Sequence, residues 1–523
     1  MNTILSKKSI IKKTLQVGGS TLISRALGFI RVSLLARYLP FGVVSDAFLT
    51  AFKIPNSLRK IFAEGALSAA FIPTIVTIVK TDNKQEANSL ISLAFLIFEG
   101  FLLVFCILVF SFSDFIVSVT TPGFSPEQIA LTAPLLKILI FFILFLSSSA
   151  LLTGSLQSVS HFFVPAFAPV LLNVVFITAL ILGLVYNLPI TFLCYAILFG
   201  GFLQFLLHIF MYFKLGFSFG KIDKQAWVNF KKVMLIFLPI FFSMSIMEIN
   251  FFIDENLASY LPSGSISLID YAWRFMGIPL GVFATALSTI LLPHFANIRK
   301  HAPSRLSYYL LESTKLVIWV IVPATILMSF FADKIFMTLF MSKSFPIARM
   351  PEAQSIFIIF LSGLLFFSLN KILLNIYYSL SDSKIPMLVS IFATIMNYTL
   401  SKLLMPYFNA SGVACATTIS LGFLQTFFFF LFLFKKYKFT IYPKYLFTFI
   451  YRYLIQLICT LTLFFASYYL LFNLIQVYLP ATLSNFFIDK IGFWFWVGPL
   501  CGLVFLFLYF TKKLFGVKLY FLD

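Results

Sequence analysis

The chain has little charge for its size. Only 11% of its 523 residues are Asp, Glu, Lys or Arg, whereas 61% are hydrophobic and the mean hydropathy is +1.01. A soluble domain is about a quarter charged, so this sequence has too little polar surface to cover a water-soluble globule. No polar stretch is long enough to form a separate domain, which excludes soluble enzymes and extramembrane receptors. Paired cysteines are missing as well. Cys106, Cys194, Cys415, Cys459 and Cys501 lie singly in apolar runs without CxxC spacing and read as small core residues, not as a disulfide frame or metal site. The four histidines, His161, His208, His294 and His301, form no HExxH or related ligand spacing, so no metalloenzyme signature is present. The N-terminal stretch bearing Lys7, Lys8, Lys12 and Lys13 has no small-residue cleavage site and is expected not to be a removed signal peptide.

What is abundant is apolar sequence in membrane-length pieces. Stretches of about 20 residues bounded by charges or turn residues predict an all-α polytopic membrane protein of about fourteen transmembrane helices. They cover 14–38, 45–79, 87–113, 129–154, 162–186, 190–213, 233–260, 265–295, 306–331, 355–380, 385–407, 412–434, 445–474 and 491–510. The basic residues test that division. Lys7, Lys8, Lys12 and Lys13, then Lys80 and Lys84, and then the clusters at 214–232, 299–305, 384, 435–444 and 512–518 all fall on one side, 22 of the 38 Lys and Arg residues. The opposite loops are nearly free of them, apart from the connection holding Lys334, Lys343 and Arg349. The positive-inside rule then puts both termini in the cytoplasm and makes the number of spans even. The net charge of +20 follows from this loop bias and does not call for nucleic acid.

The chain also repeats itself. Leu35-Ala36-Arg37-Tyr38-Leu39-Pro40-Phe41-Gly42 recurs as Leu257-Ala258-Ser259-Tyr260-Leu261-Pro262-Ser263-Gly264, and Phe62-Ala63, Ala66-Leu67-Ser68 and Pro73 recur as Phe283-Ala284, Ala286-Leu287-Ser288 and Pro293. The offset runs 222, 221, 220. Six spans separate the copies, so the repeat is parallel, which predicts two six-helix lobes (1–220 and 221–440) with a substrate path between them. Residues 441–523 add two further helices.

Several charges stand where a membrane helix should have none. Arg25 and Arg31 lie in the first span, Lys53, Arg59, Lys60 and Glu64 in the second, Asp46 near its start, and Arg274 in the eighth. A mid-membrane Arg costs about 2.5–3.5 kcal/mol even on the lower scales, so several of them imply a water-filled cavity or a bound counter-charge. These residues sum to six cations and two anions, an excess that an anionic substrate would neutralise. Arg25 and Arg31 are six residues apart, about 9 Å of rise with faces about 120° apart; a bend at Gly28 would bring them closer, or Gly28 serves helix packing. Lys60 and Glu64 have the spacing of a helical ion pair or of a functional couple. Arg grips phosphate oxygens bidentately and stays charged, which makes a phosphate or pyrophosphate headgroup the natural ligand. Glu248, Asn250, Asp254, Asn370 and Asn397 belong either to an ion site or to interhelical hydrogen bonds.

Ser24-Arg25-Ala26-Leu27-Gly28-Phe29-Ile30-Arg31, Ser45-Asp46-Ala47-Phe48, Ala51-Phe52-Lys53-Ile54-Pro55-Asn56 and Leu58-Arg59-Lys60-Ile61-Phe62-Ala63-Glu64-Gly65-Ala66 resemble the N-terminal signature of the MurJ (MviN) lipid II flippases. Thr121-Pro122-Gly123-Phe124, Pro165 to Pro169, Gly200-Gly201, Gln204, Tyr271 to Arg274 and Thr289 to Pro293 extend the resemblance over roughly the first 300 residues.

The resemblance implies a member of the multidrug/oligosaccharidyl-lipid/polysaccharide exporter superfamily. Such a protein moves lipid II, the undecaprenyl-pyrophosphate-linked peptidoglycan precursor, to the outer leaflet of the bacterial cytoplasmic (inner) membrane by alternating access. It assigns Arg25, Arg31 and Arg274, with Ser24 and Lys53 beside them, to the substrate, and Asp46, Arg59, Lys60 and Glu64 to the gate and cavity. The last two helices become a lipid-tail groove. A flippase for another undecaprenyl-linked oligosaccharide is the alternative, and a cation exporter is disfavoured because it would need carboxylates facing its substrate. No cofactor is expected, and partners are membrane lipids and cell-wall synthesis machinery. The sequence leaves open whether sodium, a proton or the membrane potential drives the step. Two departures from the family pattern, Val32 after Arg31 and Trp273 before Arg274, replace usual acidic residues and predict a more cationic cavity.

Overall fold

The computed structural model describes residues 23–24, 26–62, 67–80, 84–159, 161–340, 345–440 and 442–522, and among these it is helical throughout, without strands. Among the described residues, eleven helices are long and apolar enough to cross a membrane. One of them, the 54-residue run Lys384–Tyr437, holds two of the expected spans, separated at Asn409 by a non-helical backbone (φ 48°, ψ −132°). The expected spans 14–38 and 45–79 include residues outside the described set, so the total of fourteen stays a sequence expectation.

The chain forms two compact units, one of residues 1–267 with 342–344 and one of 268–341 with 345–523. In the first unit the helices are α1 (26–38), α2 (Val43–Arg59), α3 (Leu67–Lys80), α4 (Lys84–Ser111), α5 (Ser113–Thr120), α6 (Pro126–Leu139), α7 (Phe142–Ser158), α8 (Phe163–Tyr186), α9 (Ile190–Lys214) and α10 (Lys224–Ala258). Helix α7 is the hub, packed against α2, α3, α4, α8 and α9. Small residues allow this. A Cβ at Gly154 would come within 3.0 Å of Ile75, and one at Gly201 within 2.8 Å of Phe142, the close approach on which helix association in a membrane relies.

Helix α11 (Ser265–Pro279) begins in the first unit and continues into the second. There follow α12 (Ala286–His301), α13 (Leu306–Phe330), α14 (Ala332–Ile335), α15 (Met350–Ser379), α16 (Lys384–Thr417), α17 (Gln425–Tyr437), α18 (Pro443–Tyr478), α19 (Ala481–Asp489) and α20 (Phe493–Thr511). Helix α15 is the centre of this unit, with α12, α13, α16 and α17 around it. Its buried amides are interhelical fasteners. Asn370 donates to the Leu421 carbonyl (2.9 Å) and accepts from Thr426 (2.8 Å), while within α16, across the break at Asn409, Asn397 accepts from Thr417 (3.3 Å). At the turn before α16, Asp382 accepts from Lys436 (2.8 Å) and from the Tyr437 hydroxyl. Burial pushes this carboxyl up, but those hydrogen bonds outweigh it and hold it at about 2, below its ordinary 3.8. The stability it contributes is complete above the ordinary value and is lost only as the pH falls through about 2.

The repeat read from the sequence has local structural marks. Gly42 and Gly264, equivalent at an offset of 222, both have positive φ (114° and 93°), which a glycine adopts without Cβ strain. Both copies also widen into a π-helical turn at a matching place, at 60–62 in the first and at Leu280–Thr285 in the second.

The turn before α6 is fitted to the 256–260 segment. Gly123 N–H donates to Ser259 Oγ (3.0 Å), and Asn256 Nδ2 donates to the Val119 and Thr120 carbonyls (3.3 Å each). A Cβ at Gly123 would sit 2.4 Å from the Ser259 carbonyl oxygen, and the obstacle is backbone. Gly123→Ala is expected to lower the thermal unfolding midpoint of the purified protein, as overpacking by about 1–3 kcal/mol would. Gly100→Ala, where nothing lies within 4 Å, is expected to leave it unchanged.

Candidate functional site

Helix α2 and the residue that caps its end carry three charged residues at seven-residue intervals, Asp46, Lys53 and Lys60. Seven residues are about two turns and 10.5 Å of rise, so all three lie on nearly one face. Each fastens a different part of the first unit. Asp46, only 2% exposed, caps the start of α11: its Oδ2 accepts from Gly264 N–H (2.6 Å) and its Oδ1 from Ser267 N–H (2.9 Å) and the Ser267 hydroxyl (2.5 Å). A carboxylate on the free N–H groups of a helix start is favoured both by hydrogen bonding and by the helix dipole. Ser267 Oγ also lies 2.7 Å from Ser45 Oγ, and these two serines are equivalent at the offset of 222.

The next two fasteners are ion pairs with α10. Lys53 Nζ reaches Glu255 (2.7 Å) and donates to the Phe251 carbonyl (2.8 Å). Lys60 Nζ reaches both Glu248 oxygens (3.1 Å each) and lies over the Phe251 ring (5.0 Å to its centroid). Between them the Ser57 hydroxyl donates to Glu248 Oε2 (2.7 Å). Glu248 and Glu255 are themselves seven residues apart, so two antiparallel helices of matching charge interval make a two-rung ladder. The rungs differ in exposure, with side-chain values of 22% and 3% for Lys53 and Glu255 but 39% and 11% for Lys60 and Glu248.

That difference sets an expectation for double-mutant cycles. Lys53→Gln with Glu255→Gln is expected to give a coupling of about 1–3 kcal/mol in unfolding free energy. Lys60→Gln with Glu248→Gln should give less than about 1 kcal/mol, because water screens that rung.

The remaining candidates are placed as follows. Arg31 Nη1 donates to Asn173 Oδ1 on α8 (2.9 Å), and its guanidinium lies 5.1 Å from the Phe176 ring centroid. Asn173 also donates to the Ser24 carbonyl and hydroxyl (3.1 and 3.3 Å), so one amide holds two of the expected substrate residues. Arg59 Nε donates to Asn56 Oδ1 (3.2 Å) on its own helix. In the second unit Arg274 pairs with Asp270, one turn earlier on α11. Arg25 and Glu64 lie outside the described residues.

The expectation of uncompensated cations is corrected for three of the six, Lys53, Lys60 and Arg274. Glu248, Glu255 and Asp270 supply carboxylates to Lys60, Lys53 and Arg274. The acid expected beside Arg274 is absent at Trp273, but Asp270 performs the same pairing from i−4, where side chains share a helix face. Of the residues weighed for an ion site, Glu248 belongs to the ladder, and Asn370 and Asn397 belong to interhelical hydrogen bonds. No group of three or more potential metal ligands occurs among the described residues.

Residues 35–483 match the family described as "Lipid II flippase MurJ". A "Probable lipid II flippase MurJ" of Buchnera aphidicola subsp. Schizaphis graminum is 31% identical over 510 residues, 95% of this chain and 96% of that one. One of Haemophilus influenzae is 32% identical over 421 residues, 76% of this chain and 82% of that one. Among solved structures, "Lipid II flippase MurJ, inward closed conformation" superposes with a TM-score of 0.76 at 25% identity, over 95% of this chain and 99% of that one. An inward-facing multidrug resistance MATE family transporter of the MOP superfamily shares the fold alone, with a TM-score of 0.67 at 14% identity, over 80% of this chain and 97% of that one. The chain belongs to the lipid II flippase MurJ family, a family of transporters and not of enzymes.

Proposed function

We propose that this protein moves lipid II from the inner to the outer leaflet of the bacterial cytoplasmic membrane by alternating access, with both termini in the cytoplasm. The observation that carries this is the polar face of α2, where a helix embedded in apolar surroundings keeps Asp46, Lys53 and Lys60 on separable polar contacts. Buried charges of this kind are costly in a membrane and mark transport pathways. Contacts to α10 and to the start of α11 are of the sort that form in one state of a transporter and break in another. Asp46 and the Lys60–Glu248 rung act as the gate, with Arg59 and Glu64 assigned to the gate and cavity beside them.

In this proposal the substrate's pyrophosphate is taken by Arg25, Arg31 and Arg274, whose guanidinium forks match phosphate oxygens, with Ser24 and Lys53 assisting. Asp270 and Asn173 hold two of those arginines in place until the anion arrives. The lobes are assigned to 1–220 and 221–440, and the helices of 441–523 to the lipid tail.

The test is complementation of a bacterium depleted of its own lipid II flippase, combined with a measurement of lipid II exposed at the outer leaflet. Restored growth with restored exposure is expected. Failure to restore either, with rescue of a strain lacking a surface-polysaccharide flippase, would transfer the assignment to another undecaprenyl-linked oligosaccharide.

A further inference from the structure

One charged side chain in the first unit takes no part in the gate. Glu99 stands on α4, a span of mean hydropathy 2.8, 15 residues after Lys84 and 12 before Ser111, about 22 Å and 18 Å along the helix axis. That is the middle of the span, where an isolated carboxylate is most expensive. Glu99 faces α7 through the hydroxyls of Ser147 and Ser148. Its Oε1 is buried without a hydrogen bond, and so is the neighbouring Ser147 Oγ. A carboxyl oxygen buried at mid-membrane with no hydrogen bond of its own is an acceptor position that a proton can fill.

Among the described residues, no cation is paired with Glu99 to balance a negative charge. Helix α7 contains no ionisable residue, and on α3 the only one is Lys80 at the cytoplasmic end. On α10, Glu248 and Glu255 are engaged with Lys60 and Lys53, the buried Asp254 adjoins Glu255 in sequence, and Lys224, Lys231 and Lys232 lie near its cytoplasmic end. On α6, Lys137 lies 4.0 Å from Asp114 of α5, and Glu127 lies in the first turn of α6. On α4 itself Cys106 lies two turns along, and its thiol is directed to the Ile140 carbonyl (3.5 Å). Without a counter-charge, the neutral acid is the form of Glu99 that the interior tolerates.

We propose that Glu99 is a proton-binding site of the first unit, a carboxylic acid at neutral pH that exchanges its proton with water during the transport cycle. The step is a simple transfer: the carboxylate takes a proton from hydronium, leaving water, and returns it by the reverse reaction. Only a proton is needed, which suits a site with one carboxyl and two hydroxyls and too few ligands for a metal ion. The link to transport rests on the lipid II reading, whereas the proton site does not.

The test has two independent arms. Dicyclohexylcarbodiimide, an apolar reagent, modifies protonated carboxyls, and peptide mass spectrometry locates the product. In the full-length protein in liposomes at pH 7, the peptide holding Glu99 should be modified, whereas the solvated carboxylates at Glu127 and Asp223 should not be. Absence of modification at Glu99 would overturn the site. In the second arm, lipid II transport into proteoliposomes is measured with and without an imposed pH gradient. Wild type and Glu99→Asp should respond to the gradient, and Glu99→Gln, fixed in the neutral form, should show less than half that response. An equal response in Glu99→Gln would overturn the coupling. Wild-type protein that is labelled but moves no lipid II would overturn the substrate reading and support the proton site.

Discussion

Asp46→Ala is expected to abolish transport while leaving the protein inserted in the membrane at normal abundance. The carboxylate accepts from two backbone N–H groups and a hydroxyl at the start of α11. Hydrogen bonds to a charged group contribute about 1.5–3 kcal/mol each, so losing the two backbone bonds removes on the order of 3–6 kcal/mol from the state that contains them. A change of that size shifts a two-state equilibrium by a factor of a hundred or more. A transporter held permanently away from one of its states does not cycle. Insertion is unaffected, since the substitution removes a charge. Asp46→Asn should be intermediate, because its amide keeps one acceptor but turns an N–H₂ toward the second donor. The check is growth of a flippase-depleted strain alongside an immunoblot of the membrane fraction. Normal growth on Asp46→Ala at wild-type abundance would show that the clasp is dispensable.

Arg31→Ala, Arg274→Ala and Arg25→Ala are each expected to reduce lipid II transport to background. Arg→Lys at the same positions should recover little, because an ammonium cannot reproduce the two-pronged contact to phosphate oxygens. Arg274 requires a control, since its removal leaves Asp270 without the cation it now pairs with and so lowers stability by itself. Arg274→Ala combined with Asp270→Asn removes that complication. If the double variant accumulates normally and still fails to transport, the loss belongs to the substrate contact. Transport by all three alanine variants at wild-type levels would remove these arginines from the binding role.

Much of the scaffold was legible because the membrane sets a length. Bilayer thickness and flanking charges bounded the expected spans 190–213 and 445–474, and the helices found there are Ile190–Lys214 and Pro443–Tyr478. The cations were legible for the opposite reason, since Arg31, Lys53 and Lys60 stand out in apolar text. Their partners are harder to find because Glu248 and Glu255 lie about two hundred residues away in sequence. A signal existed all the same, namely a seven-residue interval between cations in one span and the same interval between acids in an antiparallel one. The acid for Arg274 was overlooked because the family pattern directed attention to position 273, whereas an α-helix allows the same pairing from four residues back. Glu99 belongs to no motif, and among the described residues no ion pair reaches it, so its place in an apolar span is the whole of its signal.

The paired π-helical turns carry a consequence for how this fold came to have its present dimensions. A π turn holds one residue more than an α turn, so a helix containing one can lose or gain a residue there without rotating everything that follows. The offset between the two copies slips from 222 at Gly42 and Gly264 to 221 at Phe62 and Phe283, and to 220 at Ala66 and Ala286. The last slip falls beside the widened turn of 60–62 and at the end of that of Leu280–Thr285. An insertion or deletion elsewhere in these helices would swing each downstream side chain by about 100°, turning core residues toward lipid. At the wide turn the same event only exchanges one kind of turn for another. The offset between the two copies thus changes beside the wide turns, where helical phase is slack.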